Sequence, residues 1–129
     1  MERKLVSVRL RGEIYMPVNG WVSATPGLVI TPCVTTHRVL ETYCVTHESS
    51  GWRICAHEFS SVQVAEMFAH NVRDFTDWSV SDEILKLELS SEGSKVRTDR
   101  LNVLAQEIQD NVEKDPKHYL FEGGNDVRV

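Results

Sequence analysis

The fold is decided within residues 39–57, VLETYCVTHESSGWRICAH, where two segments rich in strand-forming residues flank a short polar turn. Gly51 closes the turn and supplies the positive φ that such a turn requires. If His47 faces Trp52, the apolar residues of both arms share one face of a β-hairpin. Because a slip of one residue would mix apolar and polar residues, we predict this register. The face expected to pack in the core holds Tyr43, Val45, Trp52, Ile54 and Ala56.

Cysteine and histidine residues crowd this hairpin, but their spacing is not that of a zinc site. The spacings are Cys-x3-His, Cys-x2-His and Cys-x-His, and the Cys-x2-Cys pair that grips a metal from one turn is missing. The predicted register places Cys44 opposite Cys55, with His57 diagonal to Cys44, so these three are weak candidates for a metal site or a thiolate–imidazole couple. The simpler interpretation is three free, partly buried thiols in a reduced cytoplasmic protein. We expect no metal and no cofactor.

The segment before the hairpin also predicts strands. Residues 4–15 alternate between apolar and polar side chains, which is typical of a half-buried strand. Leu28-Val29-Ile30-Thr31 predicts another strand that ends at Pro32, which lacks an N–H, or is extended by Cys33 to Thr36 as an edge. Between them we predict loops at the turn-forming residues Pro17, Asn19-Gly20 and Pro26-Gly27.

After Phe59 the hydrophobic period changes from two residues to about 3.6. Ser60 or Ser61 can cap a first helix that ends near Asp74 and whose apolar stripe is Val62, Ala65, Phe68, Ala69 and Val72. A short second helix could start at Ser79 or Ser81 and run to Leu87, although residues 85–89 also fit a strand. A polar linker is predicted at residues 90–94. Thr98 then caps a third helix, stopped by Asp115-Pro116, with the stripe Leu101, Leu104, Ala105, Ile108 and Val112.

Strands followed by helices predict an α+β fold, because the two kinds of element segregate in that class. We expect a single domain over residues 1–129, with an antiparallel sheet of about four strands in residues 1–58. Two or three helices in residues 60–115 should pack on one face of this sheet, and residues 117–129 should form a partly mobile tail.

The net charge of −5 is distributed unevenly along the chain. Residues 1–59 carry six Lys and Arg against five Asp and Glu, whereas residues 60–129 carry eight against fourteen. An acidic helical half predicts a surface that attracts a basic partner. The candidate acidic residues are Glu66, Asp74, Asp77, Asp82, Glu83, Asp110 and Glu113. The basic residues that could instead contact nucleic acid from the sheet are Arg3, Lys4, Arg9, Arg11, Arg38 and Arg53.

The chain contains none of the common enzyme signatures, such as the G-x-S-x-G elbow, the phosphate-binding G-x-x-x-x-G-K-[ST] loop or H-E-x-x-H. It also has no apolar run of the roughly 20 residues that a membrane helix needs. We therefore expect a cytoplasmic protein that is not an enzyme and does not enter membranes. The favoured hypothesis is a protein–protein interaction module, such as an inhibitor of the phage or mobile-element type, acting on a basic, nucleic-acid-binding partner. The alternatives are a nucleic-acid-binding domain and a small Cys/His metal protein or enzyme.

Overall fold

The computed structural model describes residues 1–11, 14–34, 38–79 and 92–114, and these residues form an α+β fold. Four strands make one antiparallel sheet in the order β1-β2-β3-β4, and two helices follow among the described residues. This arrangement confirms the predicted class and the N-terminal four-stranded sheet. The predicted second helix after Ser79 and the tail at residues 117–129 lie outside the described residues. The elements are β1 Arg3–Arg11, β2 Ile14–Val22, β3 Leu28–Val34, β4 Val39–His47, α1 Val62–Asn71 and α2 Glu92–Lys114.

The first hairpin corrects the prediction for residues 4–22. β1 ends at Arg11, and the residues predicted as loops, Pro17 and Asn19-Gly20, belong to β2. Pro17 is tolerated because it pairs with Ser7 at a position where the backbone nitrogen points away from β1, so no ladder hydrogen bond is lost. Gly20 is required because a Cβ there would lie 2.7 Å from the carbonyl oxygen of Ile30 on β3.

The hairpin at residues 39–57 forms only partly. β4 has the predicted bounds, Gly51 has a φ of +77°, and Thr46 pairs with Arg53 in the predicted register. The second arm is not a strand. The next bridge along β4 joins Tyr43 to Phe59, so the second arm has three more residues than β4 between the Thr46–Arg53 and Tyr43–Phe59 bridges, and it bulges there. Val45 and Ile54 face the core as predicted. Ala56 is exposed and Trp52 lies under the guanidinium of Arg9, so these two expectations were wrong.

The two helices pack on the sheet face that carries Leu28, Ile30 and Val45. Ser61 caps α1, its Oγ accepting the Val64 N–H at 3.2 Å, and α2 ends at Lys114, next to the predicted stop. However, α2 starts at Glu92, so the predicted linker at 90–94 is helical from its third residue, and Thr98 lies within the helix instead of capping it. A polar composition does not exclude a helix, since Glu, Lys and Arg are good helix formers. The helical residues buried in the core are Val64, Ala65, Phe68, Ala69, Leu101, Ala105 and Ile108.

The opposite face of the sheet is also buried, because the sheet curls on itself. The Arg9 N–H donates to the carbonyl of Gly51 at 2.9 Å, and Lys4 forms an ion pair with Glu48. These contacts join β1, one edge of the sheet, to the turn that follows β4. Thr31 and Thr46 share a hydrogen bond of 2.8 Å inside the curl. The side chains buried on this face are Val6, Val8, Val18, Val29, Thr31, Cys33, Cys44 and Thr46.

Candidate functional surfaces and the Cys55–His57 segment

The cysteines are arranged differently from the prediction, because Cys44 forms a disulfide with Cys33 and does not lie opposite Cys55. Thr31 on β3 pairs with Cys44 on β4, and an irregularity after Pro32 brings Cys33 beside the same residue, with 5.6 Å between the two Cα atoms. Adjacent antiparallel strands offer this separation, which a disulfide can span. Both cysteines are 2% exposed. The expectation of three free thiols was therefore wrong.

Cys55 is the remaining free thiol, and it is buried in the core between the sheet and the helices. Burial raises its pKa, since the thiolate would lose its hydration there, and the charge of Arg53 and the backbone of His57 oppose this only in part. A cysteine nucleophile requires the thiolate at neutral pH and access for a substrate. Cys55 has neither property, so the structure gives no support to a thiolate–imidazole couple.

His57 occupies the bulge that replaces the predicted strand. Its ring packs on Phe59 with 4.7 Å between the ring centroids, and its Nε2 is buried without a hydrogen-bond partner of acceptable geometry. Burial lowers the pKa of this imidazole, although Asp110, Gln109 and Glu58 favour the protonated ring. Among the described residues, no group of three or more His, Cys, Asp or Glu side chains is placed to hold a metal ion.

The segment that carries His57 is attached to α2 on both sides of the histidine. The Ala56 N–H donates to Asn102 Oδ1 at 2.8 Å, and the Ser60 N–H donates to Gln109 Oε1 at 3.2 Å. Gln109 also donates from Nε2 to Ser60 Oγ at 3.1 Å. Asn102 and Gln109 are seven residues apart and so lie on one side of the helix. Residues 56–60 therefore connect the sheet to α2 through backbone groups that no strand satisfies.

A serine–histidine pair lies in the turn after β4, and the sequence analysis did not identify it. His47 Nδ1 and Ser50 Oγ are 2.7 Å apart, a distance at which a histidine base could activate a hydroxyl nucleophile. Both side chains are buried, however, and Ser50 Oγ also accepts the Trp52 N–H at 3.1 Å. No substrate reaches this hydroxyl in the folded protein, so the pair stabilises the turn.

The predicted acidic residues that the structure describes lie in different environments. Glu66 is half-buried and its carboxylate accepts the Ala24 N–H at 3.1 Å; burial raises its pKa. Asp77 accepts hydrogen bonds from Ser79, which lower its pKa. Asp74 is exposed beside Arg73, and Asp82 and Glu83 lie outside the described residues. Only Asp110 and Glu113 belong to the outer face of α2.

The outer face of α2 carries a continuous exposed stripe, which extends along roughly 21 Å of helix at a rise of about 1.5 Å per residue. Its members recur three and four residues apart, so they lie on the side of the helix opposite the core stripe. Val103 is 59% exposed in the middle of this stripe. Among the side chains that the structure describes, no basic group forms an ion pair with its carboxylates. The stripe, which we call the α2 acidic stripe, is Asp99, Val103, Gln106, Glu107, Asp110 and Glu113.

The predicted basic residues are dispersed over the sheet and engage neighbouring groups. Arg3 stacks on Trp21 and donates to the Asn19 carbonyl at 2.9 Å. Arg9 is 8% exposed and lies over the rings of Tyr15 and Trp52. Lys4 points to the opposite side of β1 and pairs with Glu48. Of the other three, Arg53 donates to the Ala56 carbonyl, Arg38 is exposed before β4, and the side chain of Arg11 is not described.

No protein family, no curated protein and no solved structure matches this chain. Within the described residues, neither helix is long and apolar enough to cross a membrane. The functional proposal below therefore rests on the geometry and the charge of this chain.

Proposed function

We propose that this protein is a non-enzymatic protein–protein interaction module whose α2 acidic stripe binds the basic surface of a partner protein. The observation that supports the proposal is the arrangement of Asp99, Glu107, Asp110 and Glu113 around an exposed Val103. An apolar side chain inside a charged rim is the usual layout of a protein interface, with desolvated contacts in the centre and charges at the edge.

The stripe favours a protein partner with a basic surface over nucleic acid. Carboxylates repel phosphate groups, whereas lysine and arginine side chains on a partner would pair with them and accelerate association. The basic residues of the sheet support nucleic-acid binding less well, because Arg3, Lys4 and Arg9 already contact neighbouring side chains and do not share one face. A surface that binds nucleic acid would be basic, so an inhibitor that covers such a surface fits this chemistry.

A cytoplasmic location, which we also propose, requires the Cys33–Cys44 disulfide to resist the reducing agents of that compartment. Thiol–disulfide exchange requires a thiolate to reach one of the two sulfur atoms. With both cysteines 2% exposed, attack requires local opening of the sheet. Burial therefore supports persistence of the bond in the folded protein.

The proposal can be tested by affinity capture from host extract with two matched variants. One variant carries Asp110→Lys and Glu113→Lys in the stripe, and the control carries Glu2→Lys and Glu41→Lys, two exposed positions just before β1 and on β4. Both variants have the same net charge. We expect the wild-type protein and the control to retain the same basic protein and the stripe variant to lose it. Retention by all three would remove the stripe from consideration.

A further inference from the structure

The connection between the sheet and α2 contains an ionisable group at a position where its charged form is poorly accommodated. His57 lies between the two attachment points formed by Asn102 and Gln109. Its Nε2 is buried and makes no hydrogen bond, although the Gln109 side chain is close enough to favour the protonated ring, and the ring is held against Phe59. A neutral imidazole tolerates this position with Nε2 deprotonated, because that nitrogen then has no proton to donate. A protonated ring would bury a charged N–H that makes no hydrogen bond in this geometry.

We propose that residues 56–60 form a pH-sensitive joint, in which protonation of His57 loosens the packing of α2 on the sheet. This inference goes beyond the proposed function, since it does not depend on any partner. The Gln109 side chain favours the protonated ring, but its Oε1 already accepts the Ser60 N–H at 3.2 Å. A protonated ring would compete with Ser60 for that oxygen, or turn toward Asp110 on α2 or Glu58 on its own segment and lose its contact with Phe59.

The charges around the joint act in opposite directions. Asp110 on α2 and Glu58 on the segment favour the protonated imidazole, and Gln109 assists them, whereas burial and the charge of Arg53 disfavour it. Burial is the largest of these effects, so the pKa of His57 lies below its usual value in the folded protein. A lowered histidine pKa contributes stability that is present above the unfolded value of about 6.5 and is lost as the pH falls from there through the lower pKa of the folded state.

Protonation of His57 would affect the contacts that hold α2 against the sheet. Leu101, Ala105 and Ile108 pack into the core directly beneath Asn102 and Gln109. Loss of the two attachment points would leave these apolar contacts as the main restraint among the described contacts of the helix. The expected event is therefore a local opening of α2 and not unfolding of the sheet, since local units open at lower free energy than the whole domain.

Hydrogen exchange measured by mass spectrometry at pH 7.5 and pH 5.0, corrected for the intrinsic rates, tests the proposal. Peptides from residues 101–114 should lose protection at pH 5.0. The loss cannot exceed about 30-fold. At pH 5.0 a histidine of pKa about 6.5 in the open state has about 30 protonated rings for each neutral one, and this ratio sets the largest shift of the opening equilibrium. His57→Phe preserves the ring packing and should abolish the loss. His70→Phe, on the exposed side of α1, should leave the loss unchanged.

Equal losses in the wild type and in His57→Phe, or no loss in the wild type, would overturn the proposal. If His57→Phe does not fold, an NMR titration of the wild-type protein gives an independent answer. The His57 ring should then titrate below the value of about 6.5 that is usual for histidine, and the amide signals of Ala105 and Ile108 should shift with the same midpoint as the His57 ring. Amide signals of α2 that do not shift with the titration of His57 would equally contradict the proposal.

Discussion

Removal of the Cys33–Cys44 disulfide should lower the free energy of unfolding by about 3 kcal/mol. The two residues are separated by 11 positions, and closing a loop of this length in the unfolded chain costs an entropy equivalent to about 3 kcal/mol at 25 °C. A domain of this size is stable by only about 5–15 kcal/mol, so the effect is a large fraction of the total. Because both cysteines are buried on the curled face of the sheet, substitution by alanine would add a cavity cost.

Reduction is therefore the cleaner perturbation, and urea unfolding at equilibrium with and without a reductant measures it. With a urea dependence of about 2 kcal/mol per M, the midpoint should fall by about 1.5 M in the reduced protein. The double variant Cys33→Ala, Cys44→Ala serves as the control, and its midpoint should not respond to the reductant. Equal midpoints for wild-type protein in both conditions would refute the reasoning, as would alkylation of three thiols in the folded, unreduced protein.

Three further outcomes concern single positions. Gly51→Ala should destabilise the protein by at least about 1 kcal/mol, because φ is +77° and the new Cβ would lie 2.7 Å from the Ser7 carbonyl oxygen; unchanged thermal unfolding would contradict this. Cys55 should react with a thiol reagent far more slowly in native protein than in urea, since its thiol is buried and its pKa is raised; equal rates would count against the assignment. Glu66→Gln should be more stable than wild type at pH 7, because the raised pKa of Glu66 shows that its charged form is disfavoured in the folded state. The advantage should vanish near pH 4, where Glu66 is protonated. Lower stability of the variant at pH 7 would show that the hydrogen bond from the Ala24 N–H to the charged carboxylate outweighs the cost of burying it.

The elements that the sequence predicted well are those whose pattern is local. β4 and the apolar stripes of α1 and α2 follow from side-chain periodicity within one segment, and each segment packs with the predicted face toward the core. Local turn signals were less reliable. Pro17 and Gly20 predicted loops, but both lie in β2, because the strand has an open side at Pro17 and passes very close to β3 at Gly20. Neither circumstance is visible in the residues themselves.

The candidate site was predicted less well, because it depends on contacts between distant segments. Strand pairing in the second arm of the hairpin ends after Ile54. The backbone N–H groups of Ala56 and Ser60 donate to side chains on α2, more than 40 residues away in the sequence. The disulfide depends on the register between β3 and β4, which the spacing of cysteines does not reveal. Asp110 and Glu113 were identified from their helical positions, but the exposed Val103 between acidic neighbours became evident only once the buried side of α2 was known.

The central claim is that the α2 acidic stripe binds a basic partner, and the affinity for the protein retained in the capture experiment tests it most directly. Titration calorimetry at about 0.05 M and 0.5 M salt should show that Asp110→Lys with Glu113→Lys weakens binding at least tenfold at the lower salt. The difference should shrink at the higher salt, because the screening length becomes shorter than the distance across the interface. The matched Glu2→Lys, Glu41→Lys variant should bind like the wild type. Equal affinity of all three proteins at both salt concentrations would contradict the account.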